Sequence, residues 1–237
     1  GLHWELAISL FAGIQARRLQ PTVISHITAS SACERASQWA SALRFLRDPA
    51  GALGPAAKRA LTNAAIAAFG KGLQWALAID CLEEASVIGY NCAITVCTRA
   101  HEWQQSMAIM ERMTKEEVEA DTFTFTSLIN AAVHGSKWQE ALACLMAASQ
   151  SASRPDGTAW NATITACGNA KQWEMAVATF QCMRRFRHHR DIVTFTSLIA
   201  ALERGLKWSS ALRVFQDLKQ RGEPAPNVVS HMAALHA

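Results

Sequence analysis

Tryptophan residues recur along this chain at nearly regular intervals. Five of the six intervals between the tryptophans that set the pattern are 35 or 36 residues long, and the remaining one is 28. These tryptophans are Trp4, Trp39, Trp75, Trp103, Trp138, Trp173 and Trp208. A period of about 20–50 residues is typical of solenoids, propellers and other arrays. The pattern therefore predicts a repeat protein, and each tryptophan is numbered below as residue 17 of its repeat.

Other apolar and small residues follow the same frame. Position 4 is aromatic or histidine in five of the six full repeats, positions 14 and 20 are small, and position 24 is large and apolar. Position 8 is isoleucine in all but the first repeat: Ser30, Ile66, Ile94, Ile129, Ile164 and Ile199. Several columns that agree over six repeats make the repeat frame secure.

Each repeat has the pattern of two helices. Positions 4–14 carry apolar residues at helical spacing, as in Phe125, Leu128, Ile129 and Ala132, and a break of Gly, Lys or Ser follows. A second helix is predicted to start near the tryptophan, which we expect to fill the corner between the two helices of its hairpin. Because one hairpin cannot bury its own apolar face, neighbours must stack. The predicted fold class is all-α, a right-handed α-α superhelix (solenoid) of helix-turn-helix repeats.

The frame treats residues 1–237 as a single array. Residues 1–22 are predicted to be the second half of a repeat, and 228–237 the start of another. The full repeats cover 23–58, 59–86, 87–121, 122–156, 157–191 and 192–227. The repeat 59–86 is short, so we expect its second helix or its following loop to be reduced.

Composition excludes several classes of protein. Half of the residues are hydrophobic and 18% are charged, which argues against disorder, and the net charge is only +4. There is no apolar run long enough for a membrane span. The seven cysteines include no CxxC pair, which favours buried reduced thiols in an intracellular protein over disulfides or a zinc site. We find no catalytic constellation and expect no enzyme activity, no cofactor, no metal and no small-molecule substrate.

Two segments carry a resemblance to a known family. DGTAWNATITACGNAKQWEMAVATFQCMRR and DIVTFTSLIAALERGLKWSSALRVFQDLKQRG resemble pentatricopeptide repeats, which are helical hairpins of 35 residues. The resemblance covers nearly the whole chain and is strongest from Val87 onwards. It implies binding of single-stranded RNA with one base per repeat, and action on transcripts in a mitochondrion or chloroplast. The related tetratricopeptide repeat binds proteins, but it has a period of 34 residues and a different tryptophan position.

The resemblance implies that the fifth and last residues of a repeat read one base. Its preferences imply C or U, then U, G, U and A along the chain, and therefore an RNA site that contains UGUA. The alternative is that Asn and Thr at position 5 only cap or start the helix. The five pairs are Asn63 with Ser86, Asn91 with Asp121, Thr126 with Asp156, Asn161 with Asp191, and Thr196 with Asn227.

The second residue of each repeat is implied to pack against a base. Large apolar residues suit this role, whereas Ala60 and Thr158 are short. The first full repeat has Ile27 at position 5 and Lys58 at its end, which fit no base preference, so we expect it to be a structural cap or a non-reader. The implied packing residues are Ile88, Phe123, Thr158, Val193 and Val229.

Basic residues concentrate at position 13 of the first helix. The resemblance implies that this column contacts phosphates, and the first fourteen residues of the repeats together carry +3 of the net +4. The alternative is a solvated helix end that favours cations. Two other charge runs, 184–190 (basic) and 116–119 (acidic), are expected to be solvated edges. The implied phosphate contacts are Arg35, Lys71, Arg99 and Arg204.

Three functions are therefore open from the sequence. The first is a sequence-selective RNA-binding module acting in processing, stability or translation of organelle transcripts. The second is a helical scaffold that binds other proteins. The third is the RNA-recognition half of a nuclease or editing enzyme whose catalytic domain is not in this sequence.

Overall fold

The structure is a computed structural model that describes residues 3–17, 22–36, 38–47, 55–84, 86–151, 153–186 and 188–221. All regular secondary structure in these residues is helical, so the predicted all-α fold class is confirmed. Two residues of the implied RNA site, Asn227 and Val229, lie outside the described residues.

The described residues form thirteen α-helices. The first helix, α1, is His3–Ala16, and the remaining twelve form six hairpins. The hairpins of the first half are α2 (Val23–Arg35) with α3 (Trp39–Arg47), α4 (Pro55–Lys71) with α5 (Trp75–Asp80), and α6 (Val87–Arg99) with α7 (Trp103–Lys115). Those of the second half are α8 (Thr122–His134) with α9 (Trp138–Gln150), α10 (Gly157–Asn169) with α11 (Trp173–Arg185), and α12 (Ile192–Arg204) with α13 (Trp208–Arg221).

The chain divides into two compact units, Gly1–Ala120 and Asp121–Ala237. In the first unit the first helices of neighbouring hairpins pack side by side in the order α2, α4, α6. In the second unit α8, α10 and α12 pack in the same way, and each also packs against the second helix of its own hairpin. Each unit is therefore a stack of helical hairpins whose first helices form one continuous layer.

Aspartates end the loops that lead into the second unit's first helices. Asp121, Asp156 and Asp191 each accept a hydrogen bond from the backbone N–H three residues later, at 2.7, 2.9 and 2.8 Å. Such N-caps satisfy donors that a helix start leaves unpaired. The last residue of each of these repeats therefore fixes where the next first helix begins.

The repeat 59–86 differs from the others in both helices. Its first helix begins at Pro55, four residues before the repeat boundary set by the tryptophan frame. Its second helix, α5, has only 6 residues and continues as a 3₁₀ turn over Cys81–Glu84, whereas α7, α9 and α11 have 13. The missing residues are thus removed from the second helix.

The turn within a hairpin is made by the residue after position 14. Residues at position 15 adopt left-handed backbone angles with φ between 53° and 61°, and none of them is glycine: Leu73, His101, Ser136, Lys171 and Leu206. Glycine at position 14 is instead right-handed, with φ of −78° at Gly135 and −81° at Gly205. The glycines are therefore not needed for the turn itself.

The tryptophan column packs differently from the expectation. A Cβ atom built at Gly72 would lie 2.5 Å from Cδ1 of Trp39, and one built at Gly205 would lie 2.8 Å from Cδ1 of Trp173. The tryptophan thus lies against the next hairpin and does not simply fill the corner of its own. Side chains of a helix point towards its N-terminus, so a tryptophan in the first turn extends beyond the N-terminal end of its own helix.

The core lies between the two helical layers of each unit. Every isoleucine at position 8 and every small residue at position 20 is fully buried. The aromatic residues at position 4 are also buried, and His26 is 2% exposed with its ring 4.7 Å from that of Phe11. These columns are thus the packing positions that the repeat pattern predicts.

Candidate nucleic-acid interface

The predicted reading pair Asn161 and Asp191 is brought into contact by the hairpin stack. Asn161 lies in the first turn and a half of α10, and Asp191 precedes α12. Asn161 Nδ2 donates to Asp191 Oδ1 at 3.4 Å, although the two residues are 30 apart in sequence. The pair is held in place because Asp191 is also the N-cap of α12.

Two other predicted pairs have the same arrangement. Thr126 Oγ1 lies 3.4 Å from Asp156 Oδ1, and its single proton is shared between this carboxylate and the carbonyl oxygen of Thr122 at 2.8 Å. Asn63 Nδ2 donates to Ser86 Oγ at 3.0 Å. The Asn63–Ser86 contact forms even though its repeat is shortened.

The remaining two pairs are described only in part. Asn91 is buried in α6 of the first unit, and Asp121 is an exposed N-cap in the second unit. Thr196 Oγ1 donates to the backbone oxygens of Ile192 and Val193, while its predicted partner Asn227 lies outside the described residues.

Two of the paired asparagines keep an unused acceptor. Within the described part of the chain, Oδ1 of Asn63 and Oδ1 of Asn161 are buried and have no hydrogen-bond partner. A buried acceptor without a partner costs about 1–3 kcal/mol. A ligand that donates a hydrogen bond at these positions would remove that cost after a small rotation of the amide.

The residues at position 2 present apolar surface next to the pairs. Ile88, Phe123 and Val193 are 64%, 57% and 51% exposed, although each is the second residue of an otherwise well-packed helix. Thr158 is exposed as well, and Ala60 is half-buried. Large apolar side chains that stay exposed at one position of successive hairpins are typical of a binding surface.

Threonine hydroxyls donate hydrogen bonds to two of the N-cap carboxylates. The buried Thr194 donates its hydroxyl to Asp191 Oδ1 at 2.7 Å, and Thr124 does the same to Asp121 at 2.9 Å. Burial opposes ionisation of Asp191, but hydrogen bonds from Thr194 and Asn161 outweigh it and lower the pKa of this carboxyl. Sequence reasoning missed these threonines, although their recurrence at position 3 was a visible signal.

The predicted phosphate contacts are exposed at the ends of the first helices. Arg35, Lys71, Arg99 and Arg204 all face solvent. Two of them have protein partners, since Lys71 Nζ lies 3.9 Å from Glu34 Oε1 and Arg204 Nη1 donates to Asn169 Oδ1 at 2.7 Å. The Arg204–Asn169 bond joins position 13 of two neighbouring hairpins. In the first full repeat, Ile27 is half-buried and Lys58 is exposed.

The basic charge run is only partly solvated, whereas the acidic residues of the other run are exposed. Arg184, Arg185, His189, Glu117 and Glu119 are exposed as expected. Arg190, however, is half-buried, with its guanidinium carbon 4.0 Å from the centre of the Phe180 ring and Nη2 donating to the Phe180 carbonyl at 2.9 Å.

Glu116 accepts hydrogen bonds from Tyr90 and Arg112. The expectation of a solvated edge was therefore wrong for Arg190, whose guanidinium lies over the buried Phe180 ring, whereas Glu116 is exposed as expected.

The described residues offer neither a membrane span nor a metal site. No helix there combines the length and apolar character needed to cross a membrane. That part of the chain also holds no group of three His, Cys, Asp or Glu side chains able to bind a metal ion.

Comparison with known proteins decides the family. The profile described as the PPR repeat family matches residues 85–134, and the profile described as the PPR repeat matches 123–146, 158–188 and 193–223. Together these matches cover just over half of the chain. The chain belongs to the pentatricopeptide repeat family. No curated protein matches this pentatricopeptide repeat sequence.

Solved pentatricopeptide repeat structures have the same fold. The repeat protein PPR10 from maize matches 98% of this chain at 20% identity with a TM-score of 0.69, and PPR10 in complex with an 18-nt psaJ RNA element matches at 19% identity with a TM-score of 0.74. The chain spans 34% of PPR10. The PPR domain of Arabidopsis thaliana protein-only RNase P 1 in complex with tRNA matches 77% of this chain at 14% identity with a TM-score of 0.63, and 98% of that domain is covered.

Proposed function

We propose that this chain is a single-stranded RNA-binding module in which each reading hairpin selects one base. The observation that carries the proposal is the repeated contact between position 5 and the last residue, in Asn63–Ser86, Thr126–Asp156 and Asn161–Asp191. Each of these three contacts joins the first helix of one hairpin to the residue that precedes the first helix of the next. Similarity to PPR10 and to the RNase P domain, both solved with RNA, supports an RNA ligand.

The chemistry of the pairs supports different bases at different hairpins. A carboxylate only accepts hydrogen bonds, so Asp191 and Asp156 favour bases whose Watson–Crick edge has a ring N–H in place of a ring acceptor, which are uracil and guanine. Asn161 adds an amide whose Oδ1 is without a partner, whereas Thr126 adds a smaller hydroxyl that leaves room for a purine. Asn227 both donates and accepts, which suits adenine. With the uracil that the family resemblance implies before these bases, the preferred site is UGUA, and Asn63–Ser86 adds C or U before it.

The exposed apolar residues supply affinity without selectivity in this proposal. Ile88, Phe123 and Val193 offer surfaces against which base faces pack, because every base has an apolar face. Arg35, Lys71, Arg99 and Arg204 contact phosphates. Occupation of single-stranded RNA in this way suits a role in processing, stability or translation of transcripts in a mitochondrion or chloroplast.

Binding to a short labelled RNA tests the proposal. The chain should bind an unstructured RNA that contains UGUA at least about tenfold more tightly than an RNA with the same four bases shuffled, since each mismatched base costs on the order of 1–3 kcal/mol. Fluorescence anisotropy at fixed salt measures both affinities. Equal affinities would contradict base reading, and binding to peptides but not to either RNA would favour a protein-binding scaffold.

A further inference from the structure

The reading carboxylate Asp156 differs from Asp191 in how its two oxygens are used. Asp191 receives the backbone N–H and the hydroxyl of Thr194 and the amide of Asn161 all on Oδ1, and none of these three donors contacts Oδ2. Asp156 receives the backbone N–H of Ala159 on Oδ1, but the hydroxyl of Thr158 lies 2.7 Å from both Oδ1 and Oδ2.

The difference has a simple cause in the sequence. After Asp191 the chain reads Ile-Val-Thr, whereas after Asp156 it reads Gly-Thr-Ala. After Asp191, the hydroxyl that contacts the carboxylate is at position 3 of the repeat, where Thr194 is fully buried. After Asp156, it is at position 2, where Thr158 is exposed. A hydroxyl at position 3 approaches the carboxylate from the core side, while one at position 2 approaches from the side that holds the exposed packing residues.

The position of Thr158 thus relates it to two base sites. As the position 2 residue of its repeat, it belongs to the packing surface beside the pair Asn161–Asp191. Through its hydroxyl, it contacts the carboxylate of the preceding pair, Thr126–Asp156. A hydroxyl carries only one proton, so the contact with Asp156 is shared between the two oxygens. A base that donates to Asp156 Oδ2 must share that oxygen with the hydroxyl proton, which weakens the bond the base makes.

We propose that Thr158 is a specificity-determining residue of the base site formed by Thr126 and Asp156. Its hydroxyl shares the oxygen that would accept from the ring N–H of guanine and weakens that bond, so this site distinguishes guanine from adenine less sharply than a hairpin with Val at position 2 and Thr at position 3. This inference rests on the proposed RNA binding and refines it at one base.

Removal of the hydroxyl tests the inference. Thr158→Val keeps the shape of the side chain, and the double variant Thr158→Val/Ala159→Thr recreates the Val-Thr pair at positions 2 and 3 that follows Asp191. The RNAs are UGUA and its three variants at the second base, placed in the same unstructured flanks. For both variants we expect the ratio of affinities for UGUA over UAUA to rise about fivefold, the equivalent of one released hydrogen bond.

Two matched variants serve as controls. Thr158→Ser retains the hydroxyl, so its ratio should equal that of the unmodified chain. Val193→Thr introduces an exposed hydroxyl after Asp191, and it should reduce discrimination at the third base of UGUA and leave the second base unaffected. Circular dichroism and thermal melting establish that all four proteins are folded.

The outcomes separate this inference from the function on which it rests. An unchanged UGUA to UAUA ratio in both hydroxyl-deleting variants contradicts it, and so does a change of equal size for all four RNAs, which would mean that only packing was altered. If the unmodified chain binds none of the RNAs, the proposed function is wrong, and the inferred role of Thr158 is then wrong as well.

Discussion

The indole of Trp173 occupies the space that a side chain at Gly205 would need. A Cβ built at Gly205 lies 2.8 Å from both Cβ and Cδ1 of Trp173 and 2.9 Å from Cγ. The two residues belong to different hairpins, 32 residues apart in the sequence. Trp39 has the same relation to Gly72, so in both pairs the tryptophan of one repeat packs against the small residue at position 14 of the next.

Gly205→Ala should therefore destabilise the chain. The added methyl group overlaps the ring and its Cβ, which are held by the start of α11, and overpacking of this kind costs about 1–3 kcal/mol. Urea denaturation followed by circular dichroism measures the free energy of unfolding. Gly157→Ala is the matched control, because a Cβ there meets no atom within 4 Å, and it should be neutral or stabilising. If both substitutions changed the free energy of unfolding by the same amount, the close contact between Trp173 and Gly205 would be contradicted.

Leu206→Gly should stabilise the same hairpin. Leu206 has a φ of 57° and is 85% exposed, so the turn holds a leucine in a left-handed conformation without burying it. Glycine adopts this conformation freely, and relief of the strain is worth about 1 kcal/mol. Thermal melting should show a higher midpoint for Leu206→Gly. Leu206→Ala, which keeps the Cβ, should give no such gain.

Gly205 and Leu206 show which features of the fold could be predicted from the sequence and which could not. The tryptophan frame identified the repeats and the family, because burial imposes the same residue type at the same position of every hairpin. It could not distinguish a glycine needed for close packing, Gly205, from one needed for a turn, because both uses favour the same residue. Nor could it show that Arg190 covers Phe180, since a run of charges looks alike whether or not one member is half-buried.

The candidate site was predictable to a similar extent. The resemblance paired Asn161 with Asp191 correctly as neighbours in space. It did not reveal that the carboxylates are also N-caps, or that Thr158 and Thr194 approach them from different sides. Those details depend on the direction of individual hydroxyl groups, which the residue type alone does not determine.

Tyr90→Phe should lower stability in a manner that depends on pH. The buried Tyr90 donates its hydroxyl to Glu116, and burial together with the hydrogen bond and charge of Glu116 raises the pKa of Tyr90 from 10.0 to about 12. Because the folded-state pKa is the higher one, this stabilisation is complete below pH 10 and is lost as the pH rises towards 12. Loss of the bond should cost about 1 kcal/mol at pH 8.

The measurement is urea denaturation of both proteins from pH 8 to pH 11.5. The difference in the free energy of unfolding between the unmodified chain and Tyr90→Phe should shrink above pH 10. A difference that stays constant up to pH 11.5 would mean that the tyrosine hydroxyl does not titrate with folding.

Asn161→Thr should change the preferred base at one position of the RNA. The substitution gives Asp191 a threonine partner and so reproduces the composition of the pair Thr126–Asp156. The preference at the third base of UGUA should therefore move from U towards G. Affinities for UGUA and UGGA measure the change, which should reverse or equalise their order. Asn130→Thr is the control, because Asn130 is exposed in α8 and belongs to no reading pair. Uniform loss of binding to both RNAs would favour a helix-capping role for Asn161.

Lys71→Ala/Arg99→Ala should reduce the dependence of RNA binding on salt. Each phosphate contact with a single strand contributes about 0.7 to the slope of log affinity against log salt concentration, so two lost contacts should lower it by about 1.4. Both residues are exposed at the ends of first helices, and the contact of Lys71 with Glu34 at 3.9 Å is long enough to be replaced by a phosphate.

The matched control for this change is Arg44→Ala/Lys115→Ala, which removes the same charge from exposed positions on α3 and α7, the second helices of the first unit. If Lys71 and Arg99 contact phosphates, only Lys71→Ala/Arg99→Ala should have a smaller slope of log affinity against log salt concentration. If net charge alone matters, both double variants should show the same reduction in slope. If these cations only stabilise the ends of their helices, the slope is unchanged in both. The free energy of unfolding then falls by about 0.3–1 kcal/mol for each residue removed from a helix C-terminus.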